Sequence, residues 1–169
     1  VSVLTLTGCS SAPVDSYKDE KPVLDLERFF NGTIDGWGMF QDRSGKVLKR
    51  FYVRIDARWK ENVGTLDEHF EWSDGKKTRR VWTLTKVDDH RYAGTASDVI
   101  GTAQGEAFGN ALRWRYVLNL ETDDGKTYEV DFDDWMYLID ERTMLNRSYM
   151  SKFGFDLGQL TLSFTRRGM

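Results

Sequence analysis

Phe51-Tyr52-Val53-Arg54-Ile55-Asp56-Ala57-Arg58-Trp59 alternates apolar with polar or charged side chains without a break. Successive side chains of a strand point to opposite faces, so this period of two puts Phe51, Val53, Ile55, Ala57 and Trp59 together. Tyr52, Arg54, Asp56 and Arg58 fall on the other side. One face is built for a core and the other for water. The pattern recurs downstream, where Trp114, Tyr116, Leu118 and Leu120 alternate with Arg113, Arg115, Val117 and Asn119. Tyr128, Val130, Phe132, Asp134, Met136 and Leu138 make a third row, with Asp134 as its polar exception.

Between such rows stand turn signals, Ser73-Asp74-Gly75-Lys76 and Asp123-Asp124-Gly125-Lys126 among them. Asp-Gly suits a tight hairpin because both residues tolerate the positive φ that primed turns need. The spacing predicts strands over 31–41, 47–60, 64–73, 77–87, 91–98, 102–121, 126–139, 143–153 and 157–166. A strand of about ten residues rises roughly 30 Å, which is barrel length. Consecutive long hairpins that must hide their edges predict an all-β fold, an antiparallel up-and-down β-barrel of about 8–10 strands. Gly94, Gly101, Gly105 and Gly109 lie within strand-like sequence and are expected to mark bulges that curve the wall.

Composition agrees with one such domain. The chain has 169 residues, 40% of them hydrophobic, with 6 Trp, 7 Tyr and 10 Phe, which excludes a disordered chain. Its 24 basic and 27 acidic residues are interleaved and leave a net charge of −3, so there is no electrostatic footprint for nucleic acid. Its 2 histidines, His69 and His90, have no ligand-spaced neighbours, which argues against a zinc site, and no cofactor is expected. Gly-x-Ser-x-Gly, P-loop and Gly-x-Gly-x-x-Gly motifs are missing from the sequence, so a catalytic role has no motif to support it.

The single cysteine, Cys9, follows Val1-Ser2-Val3-Leu4-Thr5-Leu6-Thr7-Gly8, an uncharged apolar and hydroxylated run like the tail of a secretory signal. Leu6-Thr7-Gly8-Cys9 resembles the bacterial lipobox, in which the cysteine is acylated and becomes the new N-terminus. Acyl methylenes contribute about 0.8 kcal/mol each on burial, so two or more chains anchor stably. Ser10 and Ser11 stand where an Asp would retain a lipoprotein in the inner membrane. The resemblance therefore implies an outer-membrane lipoprotein facing the periplasm. Residues 1–9 read as signal remnant and lipobox, 10–24 as a flexible tether of Ser, Ala, Pro and charge, and 25–169 as the barrel domain.

Asp131-Phe132-Asp133-Asp134-Trp135 is the most polar part of any row. Asp134 either points into the barrel with an arginine partner, Arg113, Arg115 or Arg147, or is turned outward by a bulge. Inward guanidinium groups would suit a carboxylate or phosphate, whereas outward ones belong to a solvated face. Trp114 and Trp135 complete the candidate ligand-binding set. An aromatic interior serves equally as a ligand cavity or a filled core.

Gly36-Trp37-Gly38-Met39-Phe40, Arg80-Val81-Trp82, Gly109-Asn110-Ala111-Leu112-Arg113-Trp114-Arg115-Tyr116, Phe132-Asp133-Asp134-Trp135-Met136-Tyr137-Leu138 and Met150-Ser151-Lys152-Phe153-Gly154-Phe155 together resemble a proteobacterial lipoprotein family. It is known as domain of unknown function thirty-eight thirty-three. The resemblance implies a lipocalin-like barrel without an assigned activity. Lipocalins carry Gly-x-Trp on the first strand with an Arg from the last strand packed on that Trp. Here Gly36 directly precedes Trp37, and Arg166 or Arg167 would be the partner. The reading that follows is a non-catalytic envelope barrel holding a fatty acid, lipid or other hydrophobic or amphiphilic small molecule. A filled structural or assembly module contacting an envelope protein is the rival, and a lipid-modifying enzyme the third possibility.

Overall fold

The computed structural model describes residues 12–168, so the Cys9 lipobox lies outside the described residues. Ten strands follow one another: β1 Gly32–Asp42, β2 Val47–Lys60, β3 Val63–Trp72, β4 Lys77–Lys86, β5 Arg91–Thr95, β6 Val99–Phe108, β7 Ala111–Glu121, β8 Thr127–Leu138, β9 Thr143–Lys152 and β10 Phe155–Arg166. Each pairs antiparallel with its neighbours in the chain, and β1 pairs with β10 to close the barrel. The expected up-and-down meander is therefore the fold.

The alternation that predicted it is also what packs it. Phe51, Val53, Ile55 and Ala57 of β2 are all buried inside, with Leu112, Trp114 and Leu118 of β7 and Val130, Phe132 and Leu138 of β8. Each large apolar side chain removed from water contributes about 1.5–3 kcal/mol, so these rows supply most of the drive to close the wall. Outward residues form charged pairs such as Arg79 with Asp67 at 2.7 Å and Arg113 with Asp133 at 2.7 Å. The wall thus presents charge outward, the reverse of a lipid-facing barrel.

Two glycines read as bulges do something else. Gly94 and Gly105 lie flat against the Trp114 indole, where an added Cβ would stand 2.6 and 2.4 Å from its ring carbons. The close approach of a strand to an aromatic face is what requires glycine there. Gly109 is neither bulge nor strand: the run 102–121 breaks into β6 and β7 at the Gly109-Asn110 turn. Gly101 does mark an irregularity, since the β6–β7 register shifts between Ile100 and Gln104.

The two ends of the barrel differ. Beyond the β2–β3, β4–β5, β6–β7 and β8–β9 turns, the short helix α1, Leu26–Phe29, closes one end. Asp25 caps it by accepting from the Arg28 backbone N–H at 3.2 Å, and Leu26, Phe29 and Phe30 are buried beneath it. Trp59 Nε1 donates to the Phe30 carbonyl at 2.9 Å and fastens the plug to β2. The opposite end, at the β1–β2, β3–β4, β7–β8 and β9–β10 turns, is open. The wall is lowest at β5, which pairs with β4 only from Thr83 to Lys86.

Residues 14–24 correct the expectation of a flexible tether. A 3-10 turn, Val14–Tyr17, lies on the outside of β7 and β8, where Val14 is buried with Ala111 and Trp135. Tyr17 packs on Trp135 and Tyr137 at ring-centroid distances of 6.2 and 5.6 Å. The Leu24 N–H then donates to the Gly109 carbonyl at 2.8 Å. Gly109 has φ +54°, and a Cβ there would lie 1.7 Å from the Tyr17 carbonyl oxygen. Burial of Val14 and Tyr17 outweighs the entropy that the polar composition of this segment would otherwise retain.

Candidate functional site

The open end leads into a cavity of about 660 Å³. At roughly 30 Å³ per water in the liquid, that is space for about 20 groups of water's size. Its upper walls are apolar: Phe40 and Phe51 meet Trp72, and Phe70 stacks on Trp72 at 5.7 Å. Across from them stand Leu118, Val130, Phe132 and Met150, while Leu160 pairs directly beside Phe40. Below mid-height the cavity narrows among Trp82, Leu84, Trp114, Ile55 and Leu66 and ends on Leu26 and Phe30 of the α1 plug.

Between the apolar chamber and this narrower apolar base sits a belt of polar side chains. Glu68 and Arg80 face each other across the β3–β4 register, both on the inward rows of their strands. Arg80 is held by Asp98 of the β5–β6 turn: Nε lies 3.0 and 2.9 Å from the two carboxylate oxygens and Nη2 lies 2.7 Å from one. Its remaining nitrogen, Nη1, is 3.9 Å from Glu68. The Asp98 carbonyl also accepts from the Asn119 N–H at 2.8 Å, which ties the low β5–β6 hairpin to β7. Asp134 enters from β8, 5% exposed, with Ser148 Oγ donating to it and the Tyr116 phenol directed at the same carboxyl.

This environment changes how the belt ionises. Loss of hydration pushes the Glu68 carboxyl up to about 7, against the opposing pull of Arg80. Burial likewise raises Asp134 to about 7 although Ser148, Tyr116 and Arg80 favour its charged form. Burial lifts the Tyr116 phenol well above its usual range and keeps it a donor. Burial opposes the charge on Arg80, but Glu68 and Asp98 more than offset that and keep it protonated. Two acids that can be neutral or charged near neutral pH therefore look into one cavity beside a permanently charged, already paired guanidinium.

The candidates from the sequence divide in two. Trp114 and Asp134 line the cavity. The register through β7, β8 and β9 is unbroken around Asp134, so it points inward without a bulge. Its expected arginine partners are not inside. Arg113 lies outside in a bidentate pair with Asp133, Nε at 2.8 Å and Nη2 at 2.7 Å, and covers the Trp135 ring at 5.1 Å. Arg115 is outside with Glu106 at 3.5 Å, and Arg147 is exposed over Tyr149. Trp135 is buried under the N-terminal segment rather than in the cavity. Parity is the physical reason: these residues alternate with the inward row, and nothing in the wall inverts them.

Glu68, Arg80, Asp98 and Tyr116 are not singled out as site residues by the sequence reading. The signal for two of them is a charged side chain on an apolar row, Arg80 in step with Trp82 and Leu84, and Glu68 in step with Leu66 and Phe70. Among the described residues no group of three His, Cys, Asp or Glu side chains could hold a metal ion. The lipocalin-type Trp–Arg contact is not formed: Trp37 faces outward and is 54% exposed, tilted on Tyr52, while Arg167 clasps Asp35 at 2.6 and 2.7 Å.

The model of a family described as "Protein of unknown function (DUF3833)" matches residues 3–166. No curated protein matches. Among solved structures, the S-type phycobiliprotein lyase CPES from Guillardia theta is similar at 10% identity and a TM-score of 0.60, over 86% of this chain and 94% of that one. That likeness is one of fold. A de novo designed fluorescence-activating β-barrel overlaps at 12% identity over 85% of this chain and 99% of the design, with a TM-score of 0.46.

Proposed function

Because the chain belongs to the DUF3833 family, whose function is unknown, we propose from its geometry that it binds a hydrophobic or amphiphilic small molecule inside the barrel and carries out no chemistry on it. The observation that carries this reading is the hollow interior. A cavity of about 660 Å³, with apolar upper walls and a polar belt at mid-height, falls in the size range of sites that enclose small ligands. A filled assembly module would place side chains there. The barrel fold, shared with a phycobiliprotein lyase, is compatible with an enclosed guest.

We further propose that Cys9 is acylated and holds the protein at the periplasmic face of the outer membrane. The support is the lipobox-like Leu6-Thr7-Gly8-Cys9 followed by Ser10-Ser11. Five residue steps separate Cys9 from the packed Val14, at most about 18 Å of extended chain, so the barrel would sit against the bilayer.

Two experiments test these readings. The purified full chain, stripped of lipid, is titrated with the neutral fluorophore N-phenyl-1-naphthylamine. Saturable binding at one site, abolished when Leu118→Trp fills the chamber, is expected; binding unaffected by that variant would sink the cavity reading. Radiolabelled palmitate should enter the wild type and not Cys9→Ser, and equal labelling of the two would refute the anchor.

A further inference from the structure

The polar belt at mid-height of the cavity also decides which head group the barrel takes. Resting on the reading of the cavity as a ligand site, we propose that it selects a single-chain amphiphile whose buried end donates hydrogen bonds, a protonated amine foremost, and that it discriminates against a carboxylate.

The guanidinium at cavity depth is already committed. Arg80 spends Nε and Nη2 on Asp98 and turns Nη1 to Glu68, so each of its donor edges faces an acid. The other cations on the lining, Lys49, Lys76 and Arg79, belong to the mouth, and Lys49 and Arg79 are paired there, with Asp123 and Asp74 and with Asp67. What the belt leaves open is acceptor oxygen. Glu68 has no hydrogen-bond donor within reach among the described residues, its nearest being Arg80 at 3.9 Å. Asp134, from β8, is directed into the same space with Ser148 and Tyr116 behind it. Three carboxyl groups thus share the belt with one guanidinium.

A fatty-acid head would bring a further anion beside those acids and find no unpaired cation there, so its lost hydration could be replaced only where Glu68 or Asp134 is itself protonated. An ammonium offers three donors and a charge opposite to the surplus, and its hydrogen bonds to carboxylates are of the strong, charge-assisted kind. Its tail would then lie upward along Phe51, Phe70, Leu118 and Phe132 toward the mouth. The cavity's capacity of about 20 water-sized groups is enough for one alkyl chain.

The test is displacement of N-phenyl-1-naphthylamine from the full chain at pH 7.5 by dodecylamine, dodecanol and dodecanoic acid, repeated on Glu68→Gln/Asp134→Asn. Dodecylamine is expected to compete at least tenfold more tightly than dodecanoic acid, with dodecanol between them. In the double variant the amine should weaken about tenfold, while the fluorophore and dodecanol bind as before. If the fluorophore binds and dodecanoic acid competes as well as the amine, the head-group inference falls and the ligand site stands. A preference for amine that survives in the double variant overturns it as well, since the acidic surface would be responsible. If neither the fluorophore nor any of the three amphiphiles binds, the cavity reading itself fails.

Discussion

Asp134→Asn should make the protein more stable at alkaline pH and leave it nearly unchanged near pH 4. The carboxyl is raised from an ordinary 3.8 to about 7, chiefly by loss of hydration, so the native state holds its proton more tightly than the unfolded chain does. For such a group the stabilisation is fully present below the unfolded value near 4. It drains away as pH rises and is gone by the folded value near 7. A shift of about three units corresponds to a ceiling of about 4 kcal/mol. Water entering through the open mouth hydrates the carboxylate in part, so a gain of about 1–3 kcal/mol at pH 8 is expected. Asn keeps an oxygen that accepts from Ser148 Oγ and nearly the same volume, so little else changes. Glu68 titrates in the same direction and depresses wild type and variant alike. Asp35, Asp67 and Asp88, lowered by their Arg167, Arg79 and backbone or Arg91 partners, lose stability only under acid conditions and cancel in the difference. Urea unfolding at pH 4 and pH 8, followed by tryptophan fluorescence, gives both values. An equal difference between wild type and variant at the two pH values, or a less stable variant at pH 8, would refute the reasoning.

Gly105→Ala places a Cβ 2.4 Å from the Trp114 ring, so the indole must shift by about 1 Å to regain ordinary contact. Overpacking of about 1–3 kcal/mol, less a small gain from a stiffer unfolded chain, should lower the melting temperature by roughly 2–8 °C on circular dichroism. Asp98→Ala leaves the half-buried Arg80 with Glu68 alone, and because water from the open mouth reaches the guanidinium the loss should be about 1–3 kcal/mol by the same unfolding assay. Tyr17→Ala together with Val14→Asp should release the N-terminal segment, exposing Trp135 to acrylamide quenching while fluorophore binding in the cavity persists. Arg113→Ala and Arg147→Ala, both on the outer wall, should leave that binding within about twofold of wild type by fluorescence titration.

The barrel was legible because β2, β7 and β8 keep a strict alternation and Asp-Gly turns punctuate them. The Gly109-Asn110 turn was not, because it carries no acidic turn signal and the flanking rows read as one continuous strand. Asp134 could be located as a polar member of an inward row. The arginines beside it could have been placed outside by the same parity, since Arg113 and Arg115 alternate with Trp114 and Tyr116. Arg80 and Glu68 were harder to see: β3 and β4 carry charges on both faces, and only their cross-strand register shows that the two inward ones meet. Trp135, an apolar residue on a charged outer row, was the sign that something covers the wall. Its cover, Val14 and Tyr17, hides in a segment whose composition is that of a linker.

The position of a bound amphiphile is the most direct test of a hollow, amine-selective barrel. In crystals of the full chain soaked with 12-bromododecylamine, the nitrogen should lie in hydrogen-bonding contact with Glu68 and Asp134, the chain along Phe70 and Phe132, and the anomalous bromine signal at the mouth near Trp72 and Leu120. Bromine bound only on the outer wall, with the interior closed by rearranged side chains, would contradict it.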